Sequence, residues 1–512
     1  MELIQETFTV SRTVCRGSTQ TMSGGDIIVP DTKADILKII QVDADSHITD
    51  RSIRGNKLIL SGRTDLKILY IPDSDTDKIS SIISSFDFSQ EISCKNAEED
   101  MQVLASANVS RAEFSVINSR KLHIKAIIAL DYEVTDTTEA QIATGVDEDS
   151  GAQARRESIN LQNVADICEH SFSIQENLEL SGGQPAIREL LKTDVQITDT
   201  EYKTVTGRII LKGMIDICLL YISDEGNIEH TEAELPFTEV VDSAGVGDDC
   251  VCITDYAVAG IDCTVSEDSD GERRVIDAEI EAQVQIKATE NASLEMITDC
   301  YVPYNHTELI KETLEMEEII ASPSSQNTLK DIVDFPSGVP SVRSVYNVVM
   351  KPYLTKAEAQ NGRLLCEGRV EAYVLYLSDS TENPVYSIRK EIPFGYVLNY
   401  DDTSPDLTAN VRAEIRHSGY NLNSAGEVEL RCILGIDADI IRRRSEEIIT
   451  DVEVSEPDAD DERGIVIYFV QSGDTLWDIA KRYAVPMANI IQYNEIKDPD
   501  HLTIGQRLFI PA

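Results

Sequence analysis

Tryptophan occurs once in this 512-residue chain, histidine seven times, and Lys plus Arg 45 times against 91 Asp plus Glu. The formal charge of -46 repels nucleic acid and anionic lipid, which excludes both as electrostatically held partners. Long apolar runs are missing too: nowhere do about eighteen apolar residues follow one another, so no membrane-spanning helix and no integral membrane protein is expected. The opening residues, MELIQETFTVSRTVC, lack the basic start and apolar core of a secretory signal, which predicts that the chain stays in the compartment where it is made.

Signatures of catalysis are equally scarce. The seven histidines are dispersed, and only His170 lies near a cysteine, Cys168; the reading is a structural coincidence rather than a metal or nucleophile site. Cys250 and Cys252 share one face of a strand, with no second ligand pair at zinc spacing, and read as buried thiols. All ten cysteines, scattered from Cys15 to Cys432, are expected to be reduced. No GxxxxGK[ST] loop occurs, and Gly245-Val246-Gly247 is followed by two aspartates that would repel a phosphate. Neither a catalytic residue, a metal site nor a cofactor is expected.

What the chain does contain is a repeat. A Gly followed eight residues later by a Tyr recurs as GRTDLKILY (Gly62 to Tyr70), GMIDICLLY (Gly213 to Tyr221) and GRVEAYVLY (Gly368 to Tyr376). Upstream lie ADILKII from Ala34, PAIRELL from Pro185 and PSVRSVY from Pro340, each starting 28 residues before its glycine, with apolar residues at helix-like spacing. Downstream come Phe88, Phe237 and Phe394, then an alternating strand that ends each copy. The repeated Tyr and Phe read as core anchors. A period of about 150 residues is too long for a solenoid unit, so each copy is expected to be a domain. Alternation with one face covered predicts a β-sandwich or open barrel with short helices. The domains are read as 1–134, 166–295 and 329–445, with connectors at 135–165 and 296–328, the latter helical around LIKETLEMEEII. Residues 446–464, with the run EPDADDE, read as an acidic linker.

The last segment, 465–512, has a different pattern. A strand runs into Ser472-Gly473-Asp474-Thr475, where Gly permits a turn and Asp474 or Thr475 can cap a helix. Leu476, Ile479, Ala480 and Tyr483 form one apolar helix face. Pro486 opens a second helix that reaches Asn494, and Arg507 to Ile510 closes as a strand. With GDTLWDIA and LTIGQRLFIP, this βααβ stretch resembles the LysM domain. The resemblance implies a small α+β module that binds N-acetylglucosamine polymers, or in some members protein, in a shallow groove. Gly473, Asp474, Thr475 and Leu476 would form one side of the groove, and Ile496, Asp498, Pro499 and Leu502 the other. Trp477, beside the groove, is read as a stacking or anchoring aromatic, or as packing at the domain edge.

The repeats, with DIIVPDTKADILKIIQVD in the first copy, resemble the SPOCS domain of clostridial spore coat proteins. The second copy departs most, because LELSGGQPAIRELL lacks the IIVP segment. Three such units before a LysM domain resemble the SipL-like family of spore coat morphogenetic proteins. That resemblance implies a multidomain, mainly β adaptor without enzymatic activity, in the mother-cell cytoplasm at the forespore surface or coat. Its implied partners are the coat ATPase SpoIVA, engaged through the LysM domain, and other coat proteins; the alternative is a binder of peptidoglycan or N-acetylglucosamine polymers.

Overall fold

The computed structural model describes residues 2–74, 78–147, 150–380, 384–424, 426–456 and 465–511. The first repeat unit contains β1 (Leu3–Ile28), β2 (Ile36–Arg54), β3 (Lys57–Pro72), β4 (Ser80–Ser93), β5 (Gln102–Asn118) and β6 (Lys121–Val146). The second contains β7 (Gln153–Glu179), β8 (Ile187–Val205), β9 (Arg208–Ser223), β10 (Ile228–Asp242), β11 (Val251–Ser266) and β12 (Val275–Tyr301). The third contains β13 (His306–Ala321), β14 (Ser324–Ile332), β15 (Val342–Gln360), β16 (Arg363–Ser378), β17 (Val385–Asn399), β18 (Leu407–Leu422) and β19 (Val428–Ser455). Pro323, which has no N–H to give a ladder, separates β13 from β14 where the other units run one continuous strand.

Each unit is a sandwich of two antiparallel sheets. One sheet is β2-β3-β4, β8-β9-β10 or β15-β16-β17. The other is β1-β6-β5, β11-β12-β7 or, in the third unit, β14-β19-β18. Between the sheets lie cores such as Leu211, Ile215, Tyr221, Phe237, Ile280 and Val284 in the second unit.

The sequence markers have direct physical causes. Gly62, Gly213 and Gly368 stand opposite Phe88, Phe237 and Phe394 on the neighbouring strand. A Cβ at any of these glycines would collide with the facing Phe ring, so the ring lies over the glycine and covers its bare backbone. The hydroxyls of Tyr70, Tyr221 and Tyr376 donate to the carbonyls of Ala34 (3.0 Å), Pro185 (3.4 Å) and Pro340 (3.0 Å), which fixes the spacing between those two markers. All three tyrosines are fully buried, and burial pushes Tyr221 and Tyr376 up to about 12.

The upstream segments differ from their expected helices. They open β2, β8 and β15, and each carries two register shifts at matching places, Ile36/Lys38 and Ile39/Gln41, Ile187/Glu189 and Leu190/Lys192, Val342/Ser344 and Val345/Asn347. Each bulge inserts one residue into the alternation, and two in succession turn a period of two into a spacing that resembles a helix.

The expected connectors are also strands. In every unit the first and last strands run past the sandwich as a two-stranded ribbon: 3–13 with 135–146, 153–164 with 289–301, and 306–321 with 440–455. A register shift marks each exit point, at Thr13/Cys15, Ala288/Thr289 and Ile319/Ala321, where a bulge bends the strand. The segment LIKETLEMEEII is β13, because its ladder with β19 overrides the helix propensity of its Lys and Glu. Residues 446–455 of the expected linker are likewise the end of β19, and 457–464 lie outside the described residues.

Each ribbon touches the other two. Their joint core holds Val10, Ile142, Ile159, Met296, Met316 and Ile448. At the opposite end the three β2-type sheets meet on matching residues of the repeats, Leu69, Leu220 and Leu375 together with Ile40, Leu191 and Tyr346. The units therefore close into an approximate three-fold ring. At its centre Lys192, 5% exposed, lies 2.5 Å from Asp43 of the first unit and 2.7 Å from Asp194 of its own, while Asn347 of the third unit donates to Asp194 (3.3 Å). Burial opposes the charge on Lys192, but Asp194 and Asp43 outweigh it and hold its pKa above the usual value.

One cysteine expectation is corrected: Cys15 and Cys94 form a disulfide with Cα atoms 5.9 Å apart, joining β1 to the loop after β4. Bulged pairing in the first sandwich turns both side chains toward the same core, a proximity that 79 residues of separation hide in the sequence. The other eight are free thiols, and burial pushes Cys218 and Cys252 up to about 12 and Cys168 to about 11, far from thiolate reactivity.

Candidate functional site

The C-terminal domain contains β20 (Ile465–Phe469), α1 (Leu476–Arg482), α2 (Met487–Asn494) and β21 (Arg507–Pro511), with the two strands antiparallel. Its core comprises Val470, Leu476, Ile479, Val485, Ile490 and Leu508. Two loops form the candidate groove. In the first, Gly473 takes a left-handed φ of 92° and has open space around it. Asp474 accepts from the Tyr468 hydroxyl (2.6 Å) and the Gln471 N–H (2.8 Å), and these bonds lower its pKa. Thr475 caps α1: its Oγ1 accepts the Asp478 N–H (3.1 Å) and donates to the Asp478 carboxylate (2.7 Å).

The second loop starts from Glu495, left-handed at φ 52°. Asp498 accepts the Asp500 N–H (3.3 Å) and lies 3.1 Å from His501. Asn494, which sequence reasoning took only as a helix end, ties this side down: its Nδ2 donates to the Ile490 and Phe509 carbonyls (2.8 and 2.7 Å), and its Oδ1 accepts the Phe509 N–H (2.7 Å).

The expected groove residues separate into two sets. Gly473, Thr475 and Asp498 are exposed, and Asp474 and Pro499 are half-buried at the rim. Leu476 is only 2% exposed, which corrects its side chain from groove to core; as the first residue of α1 it falls on the face toward the strands. Ile496 and Leu502 pack on the same core, and this shared packing sets the two loops side by side.

Trp477 has an unforeseen place. Its Nε1 donates to the Asp299 carboxylate (2.8 Å), and its ring meets Tyr301 edge to face with centroids 5.3 Å apart. Lys481 donates to the other oxygen of Asp299. The Tyr301 hydroxyl lies 2.6 Å from Gln153 Oε1 and 3.0 Å from the Val485 carbonyl, and Gln153 Oε1 accepts the Met487 N–H (3.1 Å). The Tyr304 N–H donates to the Ala484 carbonyl (2.7 Å). The domain is thus seated on the end of the second unit's ribbon. Sequence reasoning missed Gln153, Asp299, Tyr301 and Tyr304; the last three fall in one expected connector and Gln153 in the other.

A second concavity, a cleft of about 720 Å³, lies between the first and second units. Its cations are paired, Arg51 with Glu169 (2.6 Å), Arg63 with Asp65 (3.1 Å) and Lys351 with Asp45 (3.5 Å). Asp255 opens onto this cleft, yet enclosing walls desolvate its carboxyl and push it up to about 6, with Glu414 and Asp131 adding to the rise and Arg51 opposing it. Among the described residues no group of three or more His, Cys, Asp or Glu is placed to hold a metal ion, and no helix is long and apolar enough to cross a membrane.

Comparison with known families agrees with this architecture. The LysM domain model matches residues 468–511, and the model described as SipL, SPOCS domain matches 35–117, 186–266 and 341–423. Each of the three matches runs from β2 to β5 or the corresponding strands, leaving the ribbons outside. Neither the curated proteins nor the solved structures gave a match. The chain is a SPOCS-repeat protein. With a LysM domain behind three copies it has the SipL-like architecture, which places it among sporulation proteins.

Proposed function

We propose that this SipL-like chain is a non-enzymatic adaptor of spore coat assembly, acting in the mother-cell cytoplasm at the forespore surface. Its partner is the coat ATPase SpoIVA, bound largely through the LysM domain, with the SPOCS units adding contacts to other coat proteins. The supporting observation is the division of the LysM surface: the rim of Gly473, Thr475 and Asp498 stays open while the α1 side is seated on the second unit. Several modest contacts on one body give avidity toward a polymeric layer, because the first raises the local concentration for the next. The LysM match itself favours a second reading, a binder of N-acetylglucosamine polymers. Affinity capture from sporulating cells, comparing the whole chain with one ending at Arg463, separates the two. The adaptor reading expects SpoIVA with the whole chain and little with the truncated one. Equal capture by both overturns the LysM-centred version, and saturable chitohexaose binding without SpoIVA capture favours the glycan.

A further inference from the structure

We propose that the tip of the second unit's ribbon is a latch for the LysM domain, and that a ligand whose footprint extends from the open rim onto the Trp477 side of α1 must first displace it. The proposal rests on the LysM domain being the recognition module and adds a closed state that regulates it.

The tip is built for this seat. Thr298 is an extra residue in the ladder, since Ile297 pairs with Arg156 and Asp299 with Arg155. The bulge places Asp299 where one carboxylate serves two donors of α1, one on each oxygen. Tyr301 is 2% exposed and counts with the LysM core rather than with its own unit. Burial holds its phenol well above its usual pKa, so it remains a neutral donor. Residue Tyr304 (φ 61°) meets Ala484 (φ 49°) through a backbone bond, and the turn after α1 thereby gains partners for the Ala484 and Val485 carbonyls.

The seat is also releasable. Side chains of Asp299 and Lys481 retain 20% and 32% exposure, so water and salt compete for their pair. The LysM domain and the second unit belong to one chain, so the seat is an intramolecular contact, favoured by an effective concentration on the order of millimolar. A contact too weak to hold two separate proteins is populated under that constraint. Displacement then lowers ligand affinity by the fraction of time the latch is closed.

Trp477 is the chain's single tryptophan, so its emission reports the latch without a label. In the full chain we expect blue-shifted emission and poor acrylamide quenching. Asp299→Ala and, from the other side, Lys481→Ala should shift emission to the red and raise quenching about two- to five-fold; circular dichroism checks that both remain folded. Purified SpoIVA should then bind the released variants about three- to ten-fold more tightly than the parent. Unchanged emission and quenching in both folded variants overturn the latch. Released emission with unchanged or weakened SpoIVA affinity overturns its regulatory role. If SpoIVA binds no form, chitohexaose is titrated instead; the adaptor reading then fails, the emission data still decide the latch, and a glycan affinity equal in parent and variants overturns the regulation.

Discussion

Two junctions of this molecule, the ring centre and the ribbon tip, are built in opposite ways. At the centre of the ring the Lys192 side chain, 4% exposed, sits between Asp194 and the more open Asp43 amid the buried Leu191, Leu220 and Tyr346. At the ribbon tip Asp299, Trp477 and Lys481 make bonds of similar length but keep contact with solvent. Removing a partner from a desolvated charge leaves an uncompensated ion, whereas a half-exposed pair is replaced by water at little cost. The first junction therefore belongs to the fold, and the second to its working states.

The largest test of that contrast is Lys192→Ala. It leaves two carboxylates facing each other in the interior and should lower stability in urea unfolding by about 3–5 kcal/mol. A loss below about 1 kcal/mol would place the ring centre on the same footing as the tip. Next is Gly213→Ala, whose Cβ would meet the Phe237 ring; displacing that ring should cost about 1–3 kcal/mol on the same denaturant curve.

Between the extremes stands Asp255, open to the inter-unit cleft. Its folded pKa of about 6 exceeds the value near 4 of an unfolded Asp, so the native state holds the proton more tightly. Its contribution to stability is fully present below about pH 4 and is lost as pH rises through 6. Asp255→Asn should flatten the pH dependence of the urea midpoint in that window and raise the midpoint at pH 7. A midpoint at pH 7 that falls would show that the carboxylate is stabilised in the cleft. The smallest effect is expected from Lys481→Ala, about 1 kcal/mol in global unfolding, which is what a three- to ten-fold gain in affinity from an opened latch corresponds to. A cost as large as that of Lys192→Ala would erase the difference between the junctions.

How much of this was legible in the sequence follows the range of the contacts. The LysM fold could be read because its signals are local: Thr475 caps the helix it precedes, and Leu476, Ile479 and Ala480 occupy one helix face. The repeats were legible through Pro185 and Tyr221 and their equivalents, because the bond from the Tyr hydroxyl to that carbonyl keeps a separation of 36 residues in every copy. Their alternating strands were legible too, whereas the upstream segments were misread as helices, since paired bulges such as those at Ile187/Glu189 and Leu190/Lys192 imitate helical spacing. Of the expected groove residues, Gly473, Thr475 and Asp498 lie exposed on the two loops, whereas Leu476 lies in the core, on the inward face that its spacing with Ile479 and Ala480 indicates. The seat of Trp477 lay beyond reach: Asp299 is 178 residues away, and nothing in either stretch names the other.

The ring centre carries a consequence for how such an assembly is specified. Three separate copies of one chain around an axis would present the same residue three times, so a lysine there would face two more lysines. Joined in one polypeptide, the copies place Gln41, Lys192 and Asn347 at corresponding positions, and a single positive charge can face carboxylates from two units. Fusion thus gives each unit an address. The order of the three around the axis is written in residues that no symmetric trimer can hold.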